Sequence, residues 1–244
     1  ATTLLPQERR SQATLLRGRW HGENISAGAL LTMRDETDGG ASNSVVGADL
    51  EWRPSEDQRW SARAMSSRSR DAAGAPGESG HHVRAAWLMR VPGWNFAAEA
   101  TEISPRFRND NGFLEQTGVR IVQTEIIRRW GEVDVPGPLA FQAHEFETYL
   151  WAQHRSTLAD VGQPAGQTVL RYLHPGVWLI AARNSEAWVQ LQYDAERARQ
   201  DTPLRTMNSL AASIAANPWP WLTKVHVEAQ AGRKLDVDAD RVGR

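Results

Sequence analysis

His144, Glu145 and Glu147 stand together in "AFQAHEFETYL", and an imidazole beside two carboxylates is the equipment of general acid-base catalysis. In an extended chain, alternation turns His144 to the face opposite Glu145 and Glu147, so all three converge only if a bulge breaks the regular strand. The plainer reading of His144 is a polar side chain facing a wet lumen. Three acidic runs suit a hard cation. "RDETDGG" offers Asp35, Glu36 and Asp38, "RNDNG" offers Asp110 between two Asn, and "LDVDADR" sets Asp236, Asp238 and Asp240 on one side of an extended segment. Ca²⁺ takes six to eight oxygen ligands in irregular loops, so carboxylates spaced by one residue are suitable donors. None of the three has the EF-hand spacing, and for each a solvated turn or strand-end carboxylate is the plainer alternative.

Other chemistries are excluded or unsupported. The chain has no Cys, which removes thiolate nucleophiles, zinc–thiolate sites and disulfides. It contains no GxSxG, HExxH, P-loop or Rossmann glycine pattern. His81 and His82 are read as lying in a Gly-flanked loop, and His174 precedes Pro175. A net charge of −1 gives no electrostatic basis for nucleic acid as a main partner.

The elements that must position these groups are strands. "NISAGALLTMR" puts Ile25, Ala27, Ala29, Leu31 and Met33 on one face. "VVGADLEWR" puts Val46, Ala48, Leu50 and Trp52 opposite Asp49, Glu51 and Arg53. "VRAAWLMRV" and "EAWVQLQYD" repeat the pattern, the second setting Ala187, Val189, Leu191 and Tyr193 against Trp188, Gln190, Gln192 and Asp194. Such alternation marks strands with one apolar and one polar face. Gly-, Pro- and Asn-rich turns separate the runs every 10 to 20 residues or so, giving about a dozen strands near the length of a tilted membrane strand. "MNSLAASIAAN" (207–217) has helical propensity but is read as a strand from its neighbours, and "LADVGQPAGQ" (158–167) as a longer loop. The expected fold is all-β: an antiparallel up-and-down β-barrel, or a barrel-like open sheet, of roughly a dozen strands in a single domain over 1–244.

Two compositional features bear on the surroundings. There is no stretch of about 18 apolar residues, so a membrane-spanning helix is excluded while a membrane barrel is not. The 11 Trp, against 3 Tyr and 5 Phe, fit core packing, sugar stacking or the aromatic belt of a membrane barrel. The opening "ATTLLPQERRSQ" lacks the apolar core of a signal peptide, and the chain is read as a piece of a longer envelope protein.

The stretch "LLRGRWHGENISAGALLTMRDETDGGASNSVVGADLEWRPSEDQRWSARAMSSRSRD" (15–71), "SPRFRNDNGFLEQTGVR" and the distal "HPGVWLIAARNSEAWVQLQY" and "VEAQAGRKLD" resemble the C-terminal β-barrel domain of bacterial carbohydrate-binding family 9 domain-containing proteins. "SPRFRNDNGF" matches the most specific stretch of that family. The resemblance implies an outer-membrane location in a Gram-negative cell for the full-length protein, truncated here, and carries no catalytic residue with it. The function expected is passage or surface recognition of glycans or other small molecules by an outer-membrane-type barrel, with lipid or detergent as its medium and a homo-oligomer if the sheet stays open. The alternatives are a Ca²⁺-dependent ester or lactone hydrolase carried on the sheet, and a soluble Trp-rich glycan-binding module.

Overall fold

Apolar side chains at every second position, many of them β-branched or aromatic, favour extended backbone with one face to bury and one to hydrate. The computed structural model describes residues 10–37, 39–71, 75–112, 116–135, 141–160, 163–182, 185–199, 201–217, 221 and 224–243, and these form strands, turns and connections with no helix. The strands are β1 (Ser11–His21), β2 (Ile25–Glu36), β3 (Ser42–Ser55), β4 (Gln58–Arg70), β5 (Glu78–Val91) and β6 (Trp94–Ile103). They continue as β7 (Val119–Val135), β8 (Phe141–Thr157), β9 (Thr168–Ala181), β10 (Ser185–Glu196), β11 (Arg205–Ala216) and β12 (Val225–Gly232). A short hairpin follows, of β13 (Lys234–Asp236) and β14 (Arg241–Gly243).

The first twelve strands form one antiparallel up-and-down sheet in sequence order. Among the described residues neither β1 nor β12 has a strand on its outer side, and the sheet is not closed. Segment 207–217 lies in β11 as far as Ala216: Leu210 faces Leu191 and Ala212 faces Val189, and this cross-strand pairing overrides its helical propensity. His81 and His82 lie inside β5, which begins earlier than the glycines suggested.

The chain divides into two compact units. One comprises Ala1–Ala86, Thr101–Arg120 and Leu158–Ala165; the other comprises Trp87–Ala100, Ile121–Thr157 and Gly166–Arg244. In the first, the register sets Leu16 beside Leu31, Leu31 beside Val46, Leu50 beside Ala62 and Trp52 beside Trp60 on one face. The other face carries Asp49 opposite Arg63, and Arg17 donates to Asp49 at 3.3 Å.

A connection folds over this polar face. After β6 the chain crosses Gly80, where a Cβ would lie 2.2 Å from the backbone nitrogen of Phe107, so only glycine admits the crossing. Phe107, 3% exposed, packs with Val45, Ile103 and Met65, and its ring meets the His82 ring edge-on at 5.6 Å. Asn43 clasps the connection with both ends of its amide, donating to the Arg108 carbonyl at 3.0 Å and accepting from the Asp110 N–H at 3.1 Å. Arg108 N–H donates to Ser67 Oγ at 3.1 Å, and Arg34 donates to the Asp110 carbonyl at 2.9 Å. The segment is thus more than a tight reversal. Its backbone groups replace hydrogen bonds that the face beneath loses to burial, and Asn111 Nδ2 adds one to the Met33 carbonyl at 3.3 Å.

Phe107→Ala is expected to lower stability by about 3 kcal/mol, as truncating a buried aromatic does. The loss is read as a shift in denaturation midpoint, together with new proteolytic cleavage between residues 104 and 112. Phe107→Leu, which keeps most of the volume, should retain protection from the protease.

Candidate functional site

The second unit presents a polar face whose residues fall into rows fixed by register. Glu147, Trp178, Trp188, Ser213 and Glu228 form one row across β8 to β12. Tyr149, Gly176, Gln190, Ala211 and Gln230 form the next, and Trp151 and His174 begin a third. Aromatic rings and polar groups therefore share one face, while Val177, Val189 and Ala212 stand on the other.

Gly176 makes room at the centre of this face. A Cβ there would lie 2.3 Å from Tyr149 Cζ, so the tyrosine ring lies over the glycine. The ring stacks on Trp151 with centroids 4.7 Å apart, and Tyr172 stacks on His174 at 4.5 Å. His174 Nε2 lies 2.6 Å from Asp194 Oδ1, and Tyr172 Oη donates to Gln153 Oε1 at 3.3 Å. Three N–H donors here, Trp151 Nε1, Trp178 Nε1 and Gln190 Nε2, are buried without a hydrogen-bond partner among the described residues. Flat rings set among polar side chains suit a ligand with a hydrophobic ring face and a polar rim.

The sequence candidates sit in and around this frame. A register shift does fall between Ala143 and Glu145, at His144. It leaves His144 exposed, while Glu145 and Glu147 converge on Arg129 of β7, whose Nε lies 3.1 Å from Glu145 Oε1 and 2.7 Å from Glu147 Oε1. The two carboxylates are therefore held by a cation and not by the imidazole. Alternation had already placed Glu145 and Glu147 on one face; Arg129 comes from the neighbouring strand, and only pairing brings it there.

The acidic runs scatter. Asp35 and Glu36 end β2 on alternate faces, and Asp38 lies outside the described residues. Asp110 accepts from Arg108 Nε at 2.6 Å, which holds the guanidinium above its ordinary pKa against the opposing effect of burial, and Asp71 on the same guanidinium adds to the rise. The 235–241 segment is a hairpin with a turn at 237–240, and not extended throughout. Asp236 accepts the Ala239 N–H at 3.1 Å, Asp238 is exposed in the turn, and Asp240 (φ 44°) accepts from Arg205 Nη2 at 3.2 Å. Their partners differ because the turn points the three carboxylates apart. Among the described residues no group of three or more His, Asp or Glu is arranged to hold a metal ion.

Comparison of the chain with family models, with curated proteins and with solved structures finds no match.

Removing the shared cation should expose the cost of the carboxylate pair. Arg129→Met leaves Glu145 and the buried Glu147 facing one another, and a loss of about 2 kcal/mol is expected, below the value for a fully buried pair because Arg129 is half-exposed. Adding Glu147→Gln in the same chain should restore most of it. Equal loss in the single and double variants would show that Arg129 acts through packing alone.

Proposed function

We propose that this chain is an envelope β-sheet protein of outer-membrane type, whose apolar face meets hydrocarbon and whose polar face passes or recognises glycans or similar polyhydroxylated molecules. The observation that carries this reading is an inverted pattern of burial. In the first unit Asn43 is 2% exposed while Val46 is 58% exposed; in the second Gln190 is 6% exposed while its neighbour Leu191 is 44% exposed. A sheet made for water hides the opposite set. A membrane barrel alternates apolar-out and polar-in on every strand, with strands of about ten residues and aromatic residues at the interface.

Strand length and tryptophan placement agree with this. β1 to β11 run from 10 to 17 residues. On the apolar face of the first unit Trp20, Trp52 and Trp60 lie beside the short β1–β2 and β3–β4 reversals and are all exposed. In the second, Arg128 lies 5.0 Å from the centroids of both Trp94 and Trp130, beside the short β5–β6 turn. Rings that tolerate both water and hydrocarbon anchor a strand where the two meet. The glycan part of the reading rests on the stacked rings of the second unit's polar face, and on the resemblance of residues 15–71 and of "SPRFRNDNGF" to the family named above.

The purified chain is expected to need detergent, to show heat-modifiable gel mobility and to float with liposomes; a monodisperse protein without detergent would defeat the membrane reading. Leu50→Arg should cost about 2–4 kcal/mol if that face meets the middle of the hydrocarbon, and close to nothing if it meets water. For the polar face, oligosaccharides should quench tryptophan fluorescence in the parent protein and quench it less in Trp178→Phe.

A further inference from the structure

The two free edges carry a further inference. β1 and β12 end the strand order and every residue in both is exposed. An unpaired edge presents a row of backbone N–H and C=O groups ready to template another strand. Hydrocarbon tolerates no such edge, so the question is sharpest under the membrane reading, on which this inference rests for its setting.

We propose that β12 of one copy pairs antiparallel with β1 of a second copy, so that the sheet continues from chain to chain with its apolar face on one side. Register and charge select this pairing. The eight residues of β12 fit wholly within the eleven of β1 when Val225 faces Trp20. Val227 then faces Gly18, Ala229 faces Leu16 and Ala231 faces Thr14, all on the apolar side. On the polar side Glu228 falls opposite Arg17, with His226 opposite Arg19 and Gln230 opposite Leu15. Arg17 is half-exposed and spends one nitrogen on Asp49, which leaves guanidinium N–H groups for a second carboxylate.

Self-pairing is the poorer solution. β1 against β1 about a two-fold axis sets Arg17 against Leu15 at full overlap and against Arg17 or Arg19 in the neighbouring registers. Since β1 has no carboxylate, none of them gives Arg17 a partner, and β12 against β12 brings Glu228 toward Glu228. Like charges placed opposite one another on neighbouring strands are destabilising. The β1-to-β12 contact is head-to-tail, so it closes as a ring or runs on as a chain of copies.

The chain has no cysteine, so introduced thiols are the only ones present. Arg17→Cys and Glu228→Cys are made as separate single variants, checked for a β-sheet circular dichroism spectrum, mixed in detergent micelles and oxidised mildly. The expected product is a covalent species of twice the chain mass, absent from either variant alone and from Gly18→Cys mixed with Glu228→Cys, whose thiols face opposite sides. A second measurement needs no thiols. Arg17→Glu should lower the sedimentation-derived mass to that of a single copy, and Glu228→Arg in the same chain should restore the larger species. No cross-link in the mixture, or a cross-link only within one chain when both cysteines are on it, overturns the proposal. Floating the same samples with liposomes separates the two readings: cross-linked copies that fail to float leave the edge pairing standing and remove the membrane, and floating single copies do the reverse.

Discussion

A slip of one residue between β2 and β3 would carry Asp49 and Glu51 onto the face now held by Val46, Leu50 and Trp52. Everything else in the protein depends on that slip not occurring. The guard is distributed. Ile25 meets Trp52 and Trp52 meets Trp60, while Asp49 meets Arg63, so any shift by one loses apolar contacts and sets charges against apolar neighbours. The short reversals after β1, β3 and β5 seat each following strand beside its predecessor, while longer connections join β6 to β7 and β8 to β9 in the same order.

Given the register, the polar face of the first unit needs a lid for its buried groups, and the chain supplies one from the β6–β7 connection. Asn43, Ser67 and Arg34 would be costly to bury on a bare sheet; each instead bonds to backbone of residues 108–110. Phe107 gives the lid its apolar anchor and Gly80 gives it clearance. The second unit solves the same problem differently, with Tyr149 laid over Gly176 and Arg129 bridging Glu145 and Glu147. In the first unit the burial is made by a loop, in the second by side chains of the sheet itself.

These two solutions explain why the acidic and imidazole groups read from the chain do not gather into a centre. Asp110 is occupied by Arg108, Asp240 by Arg205, and Glu145 and Glu147 by Arg129. With almost all its cations arginine, the chain has a planar fork at hand for each of these carboxylates, and a fork satisfies one well. Among the described residues the buried atoms left without a partner include both kinds, the N–H groups of Trp151, Trp178 and Gln190 in the second unit and the Asn109 Oδ1 acceptor in the first.

The strands and their two faces were legible in the sequence, because a period of two is a local property of backbone geometry: Val46, Ala48, Leu50 and Trp52 can only share a face if the segment is extended. The same locality explains why segment 207–217 needed its neighbours to be read as a strand. Which polar residues meet was not legible. Arg129 reaches Glu147 across a strand pair, and Asn43 grips Arg108 and Asp110 across some 65 residues of chain. Nor did the pattern say which face would be covered, since alternation is symmetric between a sheet that hides its apolar side and one that hides its polar side. Only the tertiary structure decided that. The loop carrying Phe107 folds onto the side of Asn43 and Ser67, because there its backbone and amides find hydrogen-bonding partners that the apolar face does not offer.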